Sequence, residues 1–225
     1  MSEAAVPAWA LERGRAIRPS VAFDPRTAAL LIIDMQNFFL DGTHPLAVAG
    51  IPKLVDNIDR VRRAMRDAGC PVIWVQHSFA GAEAPADGDC GVRSSLVRQL
   101  VPGNAAFDID ARLTVEEGDL HAVKKTASVF HPQSGSDLLQ TLQSRGIKTL
   151  VITGIVTNGC CETTARDASQ HGFQILFASD ATGAMSEEEH RAALLNLALW
   201  FAEVQSADEL VALAADQGAA ASLAS

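Results

Sequence analysis

Residues 29–34 read Ala-Leu-Leu-Ile-Ile-Asp, a run too short for a helix and apolar at every position until its closing carboxylate. A strand with no polar alternation has both faces covered, as central strands of parallel sheets do. Short apolar runs recur at Val72 to Gln76, Thr149 to Ile155 and Phe173 to Ser179, with a further strand near His121 to Lys124. Helical patterns separate them. Over Ile51 to Ala68, the residues Leu54, Val55, Ile58, Val61, Met65 and Ala68 form one stripe, leaving Asp56, Asp59, Arg62 and Arg66 outside. Gly69 stops that helix and Pro71 precedes the next strand. Ser136 is expected to cap a helix with Leu138, Leu139 and Leu142 inward, ended by Gly146. Ser186-Glu-Glu-Glu189 is a capping box opening an apolar helix to about Phe201, and Val204 to Ser206 reads as a last edge strand. Strand and helix alternate throughout. The fold class is therefore α/β: a doubly wound parallel sheet between two helical layers.

The 225 residues suit one domain. We expect an arm over residues 1–22, the domain over 23–215 and a tail over 216–225, the arm lying on the surface or against a neighbouring subunit. The arm, with Trp9, and the apolar last helices point to a homo-oligomer. A net charge of −9 argues against nucleic acid or an anionic membrane as partner. No apolar run reaches spanning length, and Met1 to Arg18 lacks the apolar core of a secretory signal, so the cytoplasm is the expected compartment. Cys70, Cys90, Cys160 and Cys161 lack CxxC or Cys/His ligand spacing, so neither a structural zinc nor a disulfide framework is expected. No strand is followed by G-x-G-x-x-G, which removes the usual dinucleotide signature.

Ligands of such sheets bind beyond the carboxyl ends of the strands. Three chemically capable groups fall there: Asp34, one of Lys124 and Lys125, and Cys160 in the turn Thr153-Gly-Ile-Val-Thr-Asn-Gly-Cys-Cys161. With a helix beginning near Cys160, its dipole and free N–H groups would favour the thiolate and could hold an oxyanion. A buried aspartate could take the thiol proton, although alone it would equally cap a loop. On a strand at most one of the adjacent lysines points inward. His77 to Asp110 reads as a long, Gly/Pro-rich functional excursion, in which Arg93 and Arg98, with Arg112 beyond it, are possible carboxylate binders.

The chain resembles the isochorismatase-like cysteine hydrolases in three ordered motifs. The first, an apolar strand followed by Asp-x-Gln, is Leu31-Ile-Ile-Asp34-Met-Gln36-Asn37-Phe38-Phe39. The lysine motif is Lys124-Lys-Thr-Ala-Ser128-Val-Phe130, which selects Lys124. The third, Gly-x-x-Thr-x-x-Cys-x-x-x-Thr-x-Arg-x-Ala, runs from Gly154 to Ala168 with Cys160 as nucleophile. The resemblance implies strand order 3-2-1-4-5-6, a triad of Asp34, Lys124 and Cys160, a cis peptide between Ile155 and Val156, and an oxyanion hole of the Val156 and Cys160 N–H groups. Cys161 then replaces a small packing residue. Nicotinamidases carry an Asp-x-His…His metal site after the second strand. Here that stretch has His77 and no second histidine nearby, so no metal, no other cofactor and no nicotinamidase activity are expected. Asn158, where Asp is frequent, also occurs in ureidoacrylate-type amidohydrolases. Gln36, Phe39, His77, Phe130 and Asn158 are the candidates for contact with a small-molecule substrate.

The function expected from these residues is metal-independent hydrolysis of the C–N bond of a small amide, carbamoyl or ureido compound through a thioester. The alternatives are an isochorismatase-type lyase using Asp34 as general acid on a vinyl ether, and a catalytically idle relative serving as a binding or assembly subunit.

Overall fold

A computed structural model of the chain describes residues 6–42, 45–48, 50–78 and 98–222, with the side chains of 218–222 not described. Most of the excursion after His77 lies outside the described residues, as do Cys90 and Arg93. Six parallel strands form one sheet ordered β3-β2-β1-β4-β5-β6. These are β1 (Ala28–Ile33), β2 (Val72–His77), β3 (Leu120–Lys124), β4 (Thr149–Ile155), β5 (Gln174–Gly183) and β6 (Glu203–Gln205). The helices are α1 (Ala8–Ile17), α2 (Asn37–Leu40), α3 (Ile51–Asp67), α4 (Leu138–Ser144), α5 (Glu162–Gln170), α6 (Glu187–Trp200) and α7 (Ala207–Ser222).

β1, β2 and β4 are buried at every position, as their lack of alternation predicts. Successive side chains of a strand still point to opposite faces, and this divides the interior into two cores. Leu30, Ile32, Trp74, Val151 and Leu176 pack with Leu54, Ile58 and Met65 of α3 and Leu210 of α7. Leu31, Ile33, Ile73, Leu150 and Phe177 pack with Leu138 and Leu142 of α4, Ala165 of α5 and Leu194 and Leu197 of α6. The arrangement is the three-layer sandwich read from the sequence.

The structure adds local detail at four points. Residues 8–17 form a helix lying on α6: Arg18 Nη2 donates to the Ala198 carbonyl at 2.7 Å, and a Cβ on Gly14 would fall 2.0 Å from that oxygen. α7 continues past residue 216, where a tail was expected. β5 runs to Gly183 rather than stopping at Ser179, because its pairing with β4 resumes after an irregularity. Arg62 is 2 % exposed rather than outside, covered by the segment carrying Glu116. Among the described residues no helix is long and apolar enough to cross a membrane.

Candidate active site

β1 delivers Asp34 to the carboxyl edge of the sheet. Its backbone N–H donates to the Val75 carbonyl at 2.8 Å and its φ is +54°, a left-handed conformation that costs most side chains about 1–2 kcal/mol and that aspartate tolerates better than most. Gly154 lies opposite Ile33 in the register, and a Cβ there would come within 2.1 Å of the Ile33 carbonyl oxygen. The first glycine of the third motif thus lets β4 approach β1 beside the aspartate. On the other side, His77 and Lys124 are register partners at the ends of β2 and β3. Lys125 is exposed, so Lys124 is the inward lysine. The peptide bond between Ile155 and Val156 is cis, and the wide turn Thr157–Cys161 follows.

These elements converge on one atom. Lys124 Nζ donates to Asp34 Oδ2 at 2.8 Å and to Cys160 Sγ at 3.3 Å, and lies 3.1 Å from His77 Nδ1. An ammonium has three N–H bonds and here meets three acceptors. His77 Nδ1 must then be a bare lone pair, which requires a neutral ring. Burial, and next the nearby Lys124 charge, push the His77 pKa well below its ordinary value, which agrees with that role. Lys124 is 0 % exposed and Asp34 1 %. Burial raises the Asp34 pKa, opposed by the Lys124 charge and by a hydrogen bond from the Cys160 thiol. Burial works against the Lys124 charge, but Asp34 and Cys160 outweigh it and hold its pKa above the ordinary value.

Burial, and then the Asp34 charge, push the Cys160 thiol up to about 12, with Lys124 opposing. That corrects the expected thiolate. The regular helix starts at Glu162, beyond the wide turn, and a helix terminus acts strongly only within its first turn. Cys160 therefore rests as a thiol beside the Lys124 ammonium, which donates both to it and to Asp34.

Donor atoms of Asp34, His77 and Cys160 lie within 4.8 Å of one another, a group that could in principle hold a metal ion. Lys124 Nζ is within hydrogen-bond distance of all three, so a metal ion among them would meet a buried ammonium. These residues do not fit a metal.

The other candidates separate. Gln36 is fully buried; Nε2 donates to the His77 and Phe107 carbonyls at 3.1 and 2.9 Å, and Oε1 accepts from the His77 N–H at 2.8 Å. It brackets the backbone of His77 and spends its hydrogen bonds on the fold rather than on a substrate. Phe130 is a core residue, 4 % exposed and stacked on Phe173 with centroids 5.9 Å apart. Phe39 is buried edge-on against Phe38. Asn158 is exposed at the nucleophile turn. Cys161 is fully buried in the core layer with α4 and α5. Arg112 pairs with Asp110 at 2.7 Å, and Arg98 is exposed. The Val156 carbonyl accepts from the N–H groups of Gly159 (3.0 Å) and Cys161 (3.2 Å), passing over Cys160.

Sequence reasoning missed His190, which lies fully buried beneath that turn and contacts Thr157. The capping box at the start of its helix fixed the helix but said nothing of what its fourth residue touches.

Residues 28–209 match the family model described as Isochorismatase domain. Nicotinamidase 3 of Arabidopsis thaliana is 34% identical over 197 residues, covering 83% of this chain and 89% of the relative. A ureidoacrylate amidohydrolase of Methylobacterium radiotolerans is 32% identical over 201 residues, covering 80% and 77%. Among solved structures, a cysteine hydrolase from Pseudomonas syringae pv. phaseolicola superposes with a TM-score of 0.76 at 26% identity, covering 89% of this chain and 99% of that one.

Proposed function

Because the chain belongs to the isochorismatase-like cysteine hydrolases, we propose that it is a metal-independent cysteine amidohydrolase cleaving a small amide, carbamoyl or ureido compound through a thioester. That it hydrolyses a non-peptide C–N bond follows from the named relatives, a nicotinamidase and a ureidoacrylate amidohydrolase. The observation that carries the finer reading is the position of Lys124 Nζ, 2.8 Å from the carboxylate and 3.3 Å from the sulfur.

With thiol and carboxyl pKa values both raised, a free thiolate is not the resting species. Moving the proton from Cys160 Sγ to Asp34 leaves the net charge of the site unchanged. The Lys124 ammonium then pairs with sulfur instead of carboxylate, so no charge is left uncompensated in a dry site. The thiolate attacks the substrate carbonyl. Because all three Lys124 N–H bonds are committed, the oxyanion is received by the backbone N–H groups of Val156 and Cys160. Asp34 gives its proton to the departing nitrogen, the C–N bond breaks, and ammonia or an amine leaves. Asp34, again a carboxylate, deprotonates a water that attacks the thioester. Collapse of that adduct breaks the C–S bond, releases the acid and restores the thiol.

A second reading rests on Asp34 itself. A buried carboxyl with a raised pKa also serves as a general acid on a vinyl ether, with Cys160 a bystander.

Ammonia release from ureidoacrylate, small carbamoyl compounds and nicotinamide, measured with and without a chelator, separates the readings. We expect release that survives chelation and is lost by at least ~10⁴-fold in Cys160→Ala, whose circular dichroism stays that of the parent. Normal rates in Cys160→Ala would discard the thioester route, and loss on chelation would discard metal independence.

A further inference from the structure

His190, fully buried on α6, engages both ring nitrogens. Nε2 lies 2.8 Å from the Ser179 carbonyl oxygen of β5. A carbonyl oxygen can only accept, so Nε2 carries the hydrogen. In a neutral ring Nδ1 is then an acceptor, and the Thr157 hydroxyl, 2.8 Å away, donates to it. Thr157 opens the turn that holds Cys160, immediately after the Ile155–Val156 bond, and is itself fully buried.

That turn is not held by a regular helical ladder. Gly159 has φ −116° and ψ −105°, outside helical geometry, and the Val156 carbonyl skips the Cys160 N–H. On its far side the Thr163 hydroxyl donates to the Gly159 carbonyl at 2.7 Å. On its near side the tie is the Thr157–His190–Ser179 chain, which joins the turn to β5 and α6 at once. We infer that His190 is a positioning residue: through the Thr157 hydroxyl it fixes the backbone whose N–H groups receive the oxyanion. The inference rests on the cysteine-hydrolase reading above and extends it to a residue outside the triad.

The charged groups facing His190 are Glu187 and Arg191 of its own helix and Asp180 of β5. Burial is the largest influence and holds its pKa below the ordinary value, against the Ser179 bond and the carboxylates. The neutral ring, with Nε2–H on the Ser179 carbonyl and Nδ1 accepting from the Thr157 hydroxyl, is therefore the form present at neutral pH.

Two reagents that attack the same sulfur separate positioning of the oxyanion hole from general damage. Iodoacetamide alkylates Cys160 by displacing iodide and forms no oxyanion. p-Nitrophenyl acetate acylates it at a carbonyl, forming the C–S bond and expelling p-nitrophenolate through an oxyanion. In Thr157→Val, which removes the hydroxyl and keeps the shape, we expect acylation to fall ~10-fold to ~100-fold while alkylation stays within about twofold. His190→Phe should give the same split, the double variant should be no worse than either, and Thr157→Ser should restore acylation. Equal losses in both reactions, or no loss in either, would overturn the role of His190. A wild-type protein that p-nitrophenyl acetate does not label at Cys160 would instead overturn the hydrolase reading beneath it.

Discussion

On α3, Arg62 is 2 % exposed; its Nε and Nη2 donate to Asp59 Oδ1 at 3.0 and 2.8 Å and its Nη1 to Glu116. At the carboxyl edge of the sheet, Lys124 is 0 % exposed and divides its three N–H bonds among Asp34, His77 and Cys160. Both regions bury a cation against carboxylate, yet they differ in where a proton can go. The guanidinium pairs with carboxylates alone, and burial is outweighed by those bonds, so its pKa rises and no proton moves. The ammonium instead joins a carboxylate to a thiol, two groups whose pKa values are both raised and which can exchange one proton at constant charge. A buried ion pair becomes a reaction centre when its acceptors differ in chemistry.

The largest effect should come from replacing the bridging cation. Lys124→Met leaves Asp34 and Cys160 without the charge that lets the proton pass between them. We expect ammonia release to fall on the order of 10³-fold. Unfolding in urea should report a loss of about 3–5 kcal/mol, because a buried carboxylate has lost its partner. Asp34 can recover part of that by protonating, which itself removes the base. A variant with parental rates would show that the two ion pairs are of one kind.

The pH dependence sharpens the comparison. The Asp34 pKa is raised above its ordinary 3.8, so the base is lost as pH falls through a value higher than that of an exposed aspartate. Below it kcat/KM should drop about tenfold per pH unit. The stability contribution has the opposite sign. Burying this carboxylate costs stability above its folded pKa, and the cost is relieved as pH falls and the folded state takes up the proton more readily than the unfolded one. Activity should therefore decline while the Asp34 share of stability improves. The thiol, at about 12, predicts no basic limb from Cys160 ionisation in the ordinary working range. An acid limb at the value of an exposed aspartate would contradict the raised pKa.

Which of these features the sequence carries depends on what fixes each one. β1 was legible because burial on both faces leaves an unbroken apolar run, the α3 stripe because burial of one face imposes a period, and the convergence of Asp34, Lys124 and Cys160 because parallel strands end on one edge. Strand order came through family resemblance, since spacing alone leaves several crossovers open. What stayed hidden depends on contacts between distant segments. Gln36 turned inward to bracket His77, Phe130 stacked into the core, and His190 reached Thr157 across the sheet edge. Each of these side chains has a polar or aromatic identity that fits a pocket equally well. The raised Cys160 pKa was hidden for a related reason: it comes from burial and from the nearby Asp34 charge, which the residues around Cys160 do not mark.

Arg62 supplies the smallest expected effect and the control for the comparison. Its burial was invisible to periodicity because a loop, rather than the sheet, covers it. Glu116, and Asp119 behind it, close over that side of α3, with Asp119 also accepting from Arg66 and from Trp74 Nε1 at 2.8 Å. Arg62→Met keeps the apolar stem and removes the charge. Glu116 is 39 % exposed and can take water in place of the guanidinium, so the stranded carboxylates cost less than Asp34 would. We expect a stability loss of about 1–2 kcal/mol in urea. Ammonia release should remain within about twofold of the parent, because no group in that network can pass a proton to the sulfur. A rate loss comparable to that of Lys124→Met would mean that the α3 network reaches the site, and the distinction between the two buried cations would fall.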